Sequence, residues 1–241
     1  MIIDIHNHIG EVKGARQTAG ELIQHMDETG VDRCVAFTWP QWPDNGYVAQ
    51  AARQHPDRIL PFACVNPYAP AATIELEGLL GEAGFMGLKL HPFLHGYPLD
   101  QWELVGPLLE ICRSHQVPII AHGMADNPYT MPLQFGEIAV QFPDVPLIMA
   151  HSGFLWGIEQ ALRVAQRCPN IYLETSVIDA TDVILFVSEL GPERVIMGTD
   201  TPFGFIDLEM QKIERAIADP DARRLVMGGN VQRLLRLPTS A

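Results

Sequence analysis

The chain has little positive charge for its size. Sixteen Lys and Arg stand against 29 Asp and Glu, a formal net charge of −13 over 241 residues. That balance speaks against nucleic acid and anionic membranes as partners, since both are held by clustered cations. Cysteine is scarce. Cys34, Cys64, Cys112 and Cys168 lie far apart, with no Cys-x-x-Cys and no Cys/His cluster, which argues against a disulfide framework or a thiolate zinc site. They read as reduced, mostly core thiols of a cytoplasmic protein. No apolar run approaches the ~20 residues of a membrane span. Met1 leads straight into a strand, so no secretory leader is expected. No glycine-rich phosphate loop follows the first strand, and no linker or low-complexity tract interrupts the chain. What is there is 47% hydrophobic and 19% charged, enough for a sizeable core and consistent with a single domain over 1–241.

Apolar runs rich in Val and Ile alternate with segments of helical period. Strands are predicted over 2–6, 34–38, 59–65, 85–90, 118–122, 146–151, 171–174 and 195–198. Helices are predicted at about 18–29, 45–55, 71–83, 101–115, 133–141, 157–167, 180–190 and 207–217, with a last one over about 221–236. The strands are continuous apolar runs, as in a parallel sheet buried on both faces. Eight strand–helix units in ~240 residues predict an α/β fold, the (β/α)8 TIM barrel. A doubly wound open sheet is the alternative, and the missing phosphate loop counts against it.

Barrel enzymes work at the carboxyl ends of their strands. The first strand ends in His6-Asn7-His8. Alternation on a strand turns both imidazoles the same way, about 7 Å apart along the backbone, close enough to grip one ion. Alone, His-x-His is a weak signal, and a single strand-end His is more often structural than a ligand. Here Lys89 and His91 end the fourth strand, His122 the fifth, His151 the sixth and Asp200 the eighth. Structural histidines have no reason to gather on one rim, whereas a His/Asp metal site requires it. Lys89 has a plainer reading as the partner of a buried carboxylate, Asp4 or Glu174. His25, His55 and His115 fall on helices or helix ends, and His95 in a rim loop.

These segments resemble the amidohydrolase superfamily, in the amidohydrolase 2 branch that includes aminocarboxymuconate-semialdehyde decarboxylase. The resemblance rests on Ile3-Asp4-Ile5-His6-Asn7-His8, Gly87-Leu88-Lys89-Leu90-His91-Pro92, Pro118-Ile119-Ile120-Ala121-His122, Phe142-Pro143-Asp144-Val145-Pro146 through His151-Ser152-Gly153, Met197-Gly198-Thr199-Asp200-Thr201-Pro202-Phe203, and the closing Gly228–Leu235 stretch. It implies one divalent ion on His6, His8, His122 and Asp200, with His151 as acid/base and Asp200 also accepting a proton. Three imidazoles and a carboxylate suit Zn²⁺, with Mn²⁺, Fe²⁺ or Co²⁺ able to substitute. A two-metal site bridged by carbamylated Lys89 is the disfavoured variant, because branch members with the similar Lys-Leu-His-Pro segment look mononuclear.

Around the rim, Trp39 and Trp42, Asn66 and Tyr68, Phe93, His95 and Tyr97, and Phe203 and Phe205 follow successive strands. They are either a loop-covering layer or the walls of a pocket for a flat organic substrate. Trp39, Phe203, Lys89 and His91 are the expected substrate contacts, with Arg16 or Lys13 as further cations for a carboxylate. The leading expectation is metal-dependent hydrolysis of a small amide, ester or lactone. The alternative is non-oxidative decarboxylation of an aromatic or unsaturated acid. The chain is shorter than the branch's decarboxylases, which tilts the reading to hydrolysis. A phosphoesterase would usually carry Glu where Lys89 stands, and an idle metal-binding scaffold would not need His151. The expected partners are a small-molecule substrate and, for assembly, a homodimer.

Overall fold

The computed structural model describes residues 1–12 and 15–238. Eight parallel strands form the barrel wall: β1 (Ile3–His8), β2 (Arg33–Phe37), β3 (Ile59–Pro61 continuing in Ala63–Cys64), β4 (Leu88–Leu90), β5 (Ile119–His122), β6 (Leu147–Ala150), β7 (Ile171–Glu174) and β8 (Val195–Ile196). The wall closes between β1 and the chain leaving β8, where Ile5 N donates to Met197 O at 3.2 Å and His8 N to Thr201 O at 2.8 Å. The expected strands and main helices are all present within a few residues. Three features were not expected: a hairpin of Gly10–Val12 with Ala15–Gln17, a break in β3 at Phe62, and a short helix over Pro92–His95.

The helices have local causes. The helix Ala19–Thr29 starts at a capping box, with Glu21 N donating to Thr18 Oγ1 and Thr18 N donating to Glu21 Oε2. It stops at Gly30, whose φ of 77° suits glycine. The last expected helix is interrupted. Pro220–Arg224 runs into a wide turn over Leu225–Gly229 before Asn230–Leu234 resumes. A Cβ on Gly228 would run into the backbone of Met1 and Ile3, so only glycine permits this close approach.

Two apolar layers result. Outside the wall, Leu22, Met26, Val48, Leu76, Leu109, Phe135 and Phe186 bring the helices onto Cys34, Leu88, Ile119 and Leu173. Inside it, Ile3, Ile5, Val35, Phe37, Leu60, Phe62, Ile120, Ile148 and Ile196 fill the barrel, together with Val231 and Leu235 from the C-terminal helix. Gly87 makes room for this filling, since a Cβ there would collide with the Phe62 ring.

Strict alternation along β1 would set His6 and His8 on the opposite face from Ile3 and Ile5. The register resolves this. Asp4 pairs with Cys34 but Asn7 with Ala36, so β1 carries one residue more than β2 over this stretch. That bulge shifts the parity, and both the apolar filling below and the imidazoles above face the barrel interior.

Candidate metal and catalytic site

Above the apolar filling the barrel interior becomes polar. The Nε2 atoms of His6 and His8 stand 3.1 and 3.2 Å from the same oxygen, Asp200 Oδ1. The His151 ring is 5.0 Å from that of His6 and 4.9 Å from that of His122. His6, His151 and Asp200 each offer a ligand atom within 4.8 Å of the others. His122 stacks on His91 at 4.0 Å and stands beside that trio, one ring further along the wall. Of the expected ligands, the structure thus gathers His6, His8 and Asp200 tightly and sets His122 next to His151.

The backbone is strained where the chemistry gathers. Asp200 has φ 60°, His151 φ 62° and Ser152 φ 43°, a region that costs a non-glycine residue about 1–3 kcal/mol. Asp200 is held there by its N–H on His6 O at 2.9 Å and by Phe203 N and Gly204 N on its own carbonyl. His151 is held by its N–H on Glu174 Oε2 at 2.8 Å.

Five imidazoles packed this closely cannot all be charged. Burial pushes His6, His8, His91 and His122 below the ordinary imidazole range, and His151 down to about 4. Burial works against the charge on Asp200, but a proton shared with His6, His8 or His151 would attract it and His8 Nε2 bonds it, so it lies below the usual carboxylate range. An ion would take the place of that proton. Glu174 behaves likewise: burial opposes its charge, yet His6, His151 and its hydrogen-bond donors hold it at about 2. Neutral nitrogens around an ionised carboxylate are the donor set a divalent cation needs. His6 Nδ1 also looks toward Glu174 Oε2 at 3.5 Å, the outer carboxylate common behind metal-binding histidines. The residues therefore fit the expected ion.

Lys89 pairs with neither Asp4 nor Glu174. It is fully buried, its Nζ lies 3.0 Å from His6 Nε2 and 4.7 Å over the Phe37 ring, and burial lowers its ammonium to about 8. Asp4 instead accepts from Thr199 N at 3.1 Å and from the Thr199 hydroxyl at 2.5 Å, and burial raises it to about 7. Glu174 accepts from His151 N, Ser176 N and the Ser176 hydroxyl, at 2.8, 2.8 and 2.7 Å. A Cβ on Gly198 would run into the Glu174 carboxylate, so the glycine beside Thr199 is what lets Glu174 lie here. Ser176 and Glu174 were not singled out as site residues from sequence. Their spacing of two at the end of β7 was the available signal, the same as that of His6 and His8.

Of the expected substrate contacts, Trp39, Phe203 and His91 lie beside the histidines, and Lys89 is buried below them. The Trp39 ring is 5.1 Å from His8, 5.1 Å from Phe203 and 6.3 Å from His91, and Phe203 is 6.0 Å from His8. Trp42, Tyr68 and Phe205 lie exposed further out. His95 Nε2 lies 2.6 Å from Pro40 O, joining the rim segments after β4 and β2. Arg16 is exposed on the hairpin opposite Glu11, and Lys13 lies outside the described residues. Two roomy clefts open on the rim, one of about 440 Å³ between Gln17 and the chain after β8 near Phe205, the other of about 410 Å³ between Arg16 of the hairpin and Trp39 and Trp42 after β2. The His/Asp cluster lies in neither. Its claim rests on convergent donors and buried charge, and Trp39 links it to the second cleft.

All four cysteines are buried and unbridged. No helix among the described residues is long and apolar enough to cross a membrane.

The family model described as amidohydrolase matches residues 3–237. Gamma-resorcylate decarboxylase of Polaromonas sp. (strain JS666 / ATCC BAA-500) is 23% identical, over 80% of this chain and 75% of that protein. A dihydroxybenzoic acid decarboxylase from Polaromonas sp. JS666, solved with manganese and the inhibitor 2-nitroresorcinol, superposes with a TM-score of 0.78. It is 17% identical, covering 99% of this chain and 98% of that one. A probable 2-pyrone-4,6-dicarboxylic acid hydrolase from Acinetobacter baumannii, solved with citric acid, has a TM-score of 0.76 and 19% identity, covering 98% and 99%.

Proposed function

The chain belongs to the amidohydrolase family, and from that premise we propose that it is a metal-dependent, non-oxidative decarboxylase of a hydroxylated aromatic or related unsaturated carboxylic acid. This reverses the preference for hydrolysis drawn from chain length. The observation that carries it is the wall of flat rings beside the ligands: Trp39 touches both His8 and Phe203 at 5.1 Å, with stacked His91 and His122 nearby. Flat ring faces beside the ligands suit contact with a planar acid. A relative aligned over 75% of its own length is a gamma-resorcylate decarboxylase, which points the same way.

In this reading His6, His8, His122 and Asp200 hold one divalent ion, Zn²⁺ or Mn²⁺ by donor type. Bound there, the ion supplies Lewis acidity that neutralises a carboxylate. Trp39, Phe203 and His91 orient the ring and exclude water from its face. Lys89 adds a buried positive charge beneath His6. His151 begins neutral. It takes the proton of a hydroxyl next to the carboxylate and returns it to the ring carbon. The carbon–carboxyl bond breaks, its electron pair stays with the ring, and CO₂ leaves. The resulting oxyanion regains a proton from solvent.

A panel of carboxyl-¹³C hydroxybenzoates, assayed with the metal-loaded enzyme in D₂O, tests this. Labelled CO₂ and one deuterium at the vacated carbon are expected. Turnover of lactones or esters with every acid untouched would return the site to the hydrolase reading, which the likeness to the pyrone hydrolase fold keeps as the second choice.

A further inference from the structure

Beyond the ligands and His151, the buried pair Glu174 and Ser176 has a defined job. Ser176 Oγ is 2.7 Å from Glu174 Oε2 and 2.8 Å from His151 Nδ1, and all three residues are buried. A hydroxyl has one proton to give. Glu174 already accepts a backbone N–H on each oxygen, from Ser176 on Oε1 and His151 on Oε2. Those bonds favour its ionised form, which can only accept. The Ser176 proton therefore goes to Glu174, and the Ser176 oxygen is left to receive a proton from His151 Nδ1. The bonding pattern thus assigns a hydrogen to His151 Nδ1, an inference from the network and not an observed proton.

We propose that Ser176 is a positioning residue whose hydroxyl, bonded to Glu174, holds neutral His151 as the Nδ1–H tautomer and so makes Nε2 the nitrogen that takes and returns the proton. The same carboxylate stands 3.5 Å from His6 Nδ1, without a hydrogen bond between them. When Nε2 is protonated, the added charge is spread onto the Ser176–Glu174 chain, as outer partners do behind other functional histidines. The proposal rests on the reading of His151 as acid/base, but its first readout requires no turnover.

The test is ¹⁵N-histidine NMR of the Zn²⁺-loaded enzyme, with the His151 signals identified by their loss in His151→Asn. Wild type is expected to show Nδ1–H for His151. Ser176→Ala should shift it to a mixture or to Nε2–H, and Ser176→Thr should restore it. With a substrate from the panel above, Ser176→Ala should lower kcat about 10–100-fold, the usual effect of losing an outer partner, at unchanged KM and metal content. Wild-type His151 carrying its proton on Nε2 overturns the proposal, whether or not any variant folds. So does Ser176→Ala with tautomer and kcat unaltered, or with metal lost in step with activity, which would mark a structural role. If no acid is decarboxylated but the tautomer responds as stated, the substrate reading fails and the positioning role stands.

Discussion

Replacing Glu174 by Gln changes one atom of a fully buried side chain, and the structure fixes what that atom must do. The carboxylate is 0% exposed and receives three donors, two on Oε2 and one on Oε1. A glutamine has one carbonyl oxygen. Whichever way its amide is turned, at least one backbone N–H, of His151 or of Ser176, faces an NH₂ group instead of an acceptor. An unpaired buried donor costs about 1–3 kcal/mol, and the bonds that remain lose the extra strength of an ionised acceptor. Together these predict a loss of about 2–5 kcal/mol. For a chain of this size, Tm changes by about 2–4 °C per kcal/mol, so the melt should fall by about 4–20 °C. Calorimetry at pH 7 on metal-stripped wild type and variant measures it without help from bound ion. A neutral carboxyl would already donate one proton, and Gln would imitate it closely. A Tm within about 2 °C of wild type would therefore mean that Glu174 is not ionised, and the tautomer argument would lose its base.

The remaining expectations are briefer. His6→Ala with His8→Ala should abolish binding of a divalent ion, read by metal analysis after dialysis; full retention by the double variant would remove the ligand assignment. Protons compete with the ion for the imidazoles, so affinity falls as pH drops. Because burial already lowers His6 and His8, the loss should set in below the ordinary imidazole pKa of about 6.5, as a pH titration of bound metal would show. His151→Asn should keep the metal and lose activity about 10²–10⁴-fold; loss of one of two bound ions would favour the binuclear variant. In a one-metal site, bicarbonate should not alter reactivation of stripped enzyme, since Lys89 is not asked to become a carbamate, and bicarbonate-dependent recovery would contradict this.

Much of this architecture was legible because it depends on period and position. Continuous Val/Ile runs between helical segments identify a buried parallel wall, and proline ahead of residues such as Ile119 and Leu147 marks where helices stop and strands begin. The gathering of His6, His8, His151 and Asp200 follows from their places at strand ends once the barrel is granted. What sequence did not yield depends on local departures from period. The extra residue in β1 between Asp4 and Asn7 changes which side chains face inward, and no pattern of apolar residues announces a bulge. The direction of Lys89 was missed for a related reason. Charge alone suggested Asp4 or Glu174, but each was already satisfied, Asp4 by Thr199 and Glu174 by Ser176 and His151. With those carboxylates taken, the ammonium lies 3.0 Å from His6 Nε2 instead. Pairing inside a barrel is a competition among all eight strand ends. A reading made strand by strand finds the competitors, and only the closed wall decides between them.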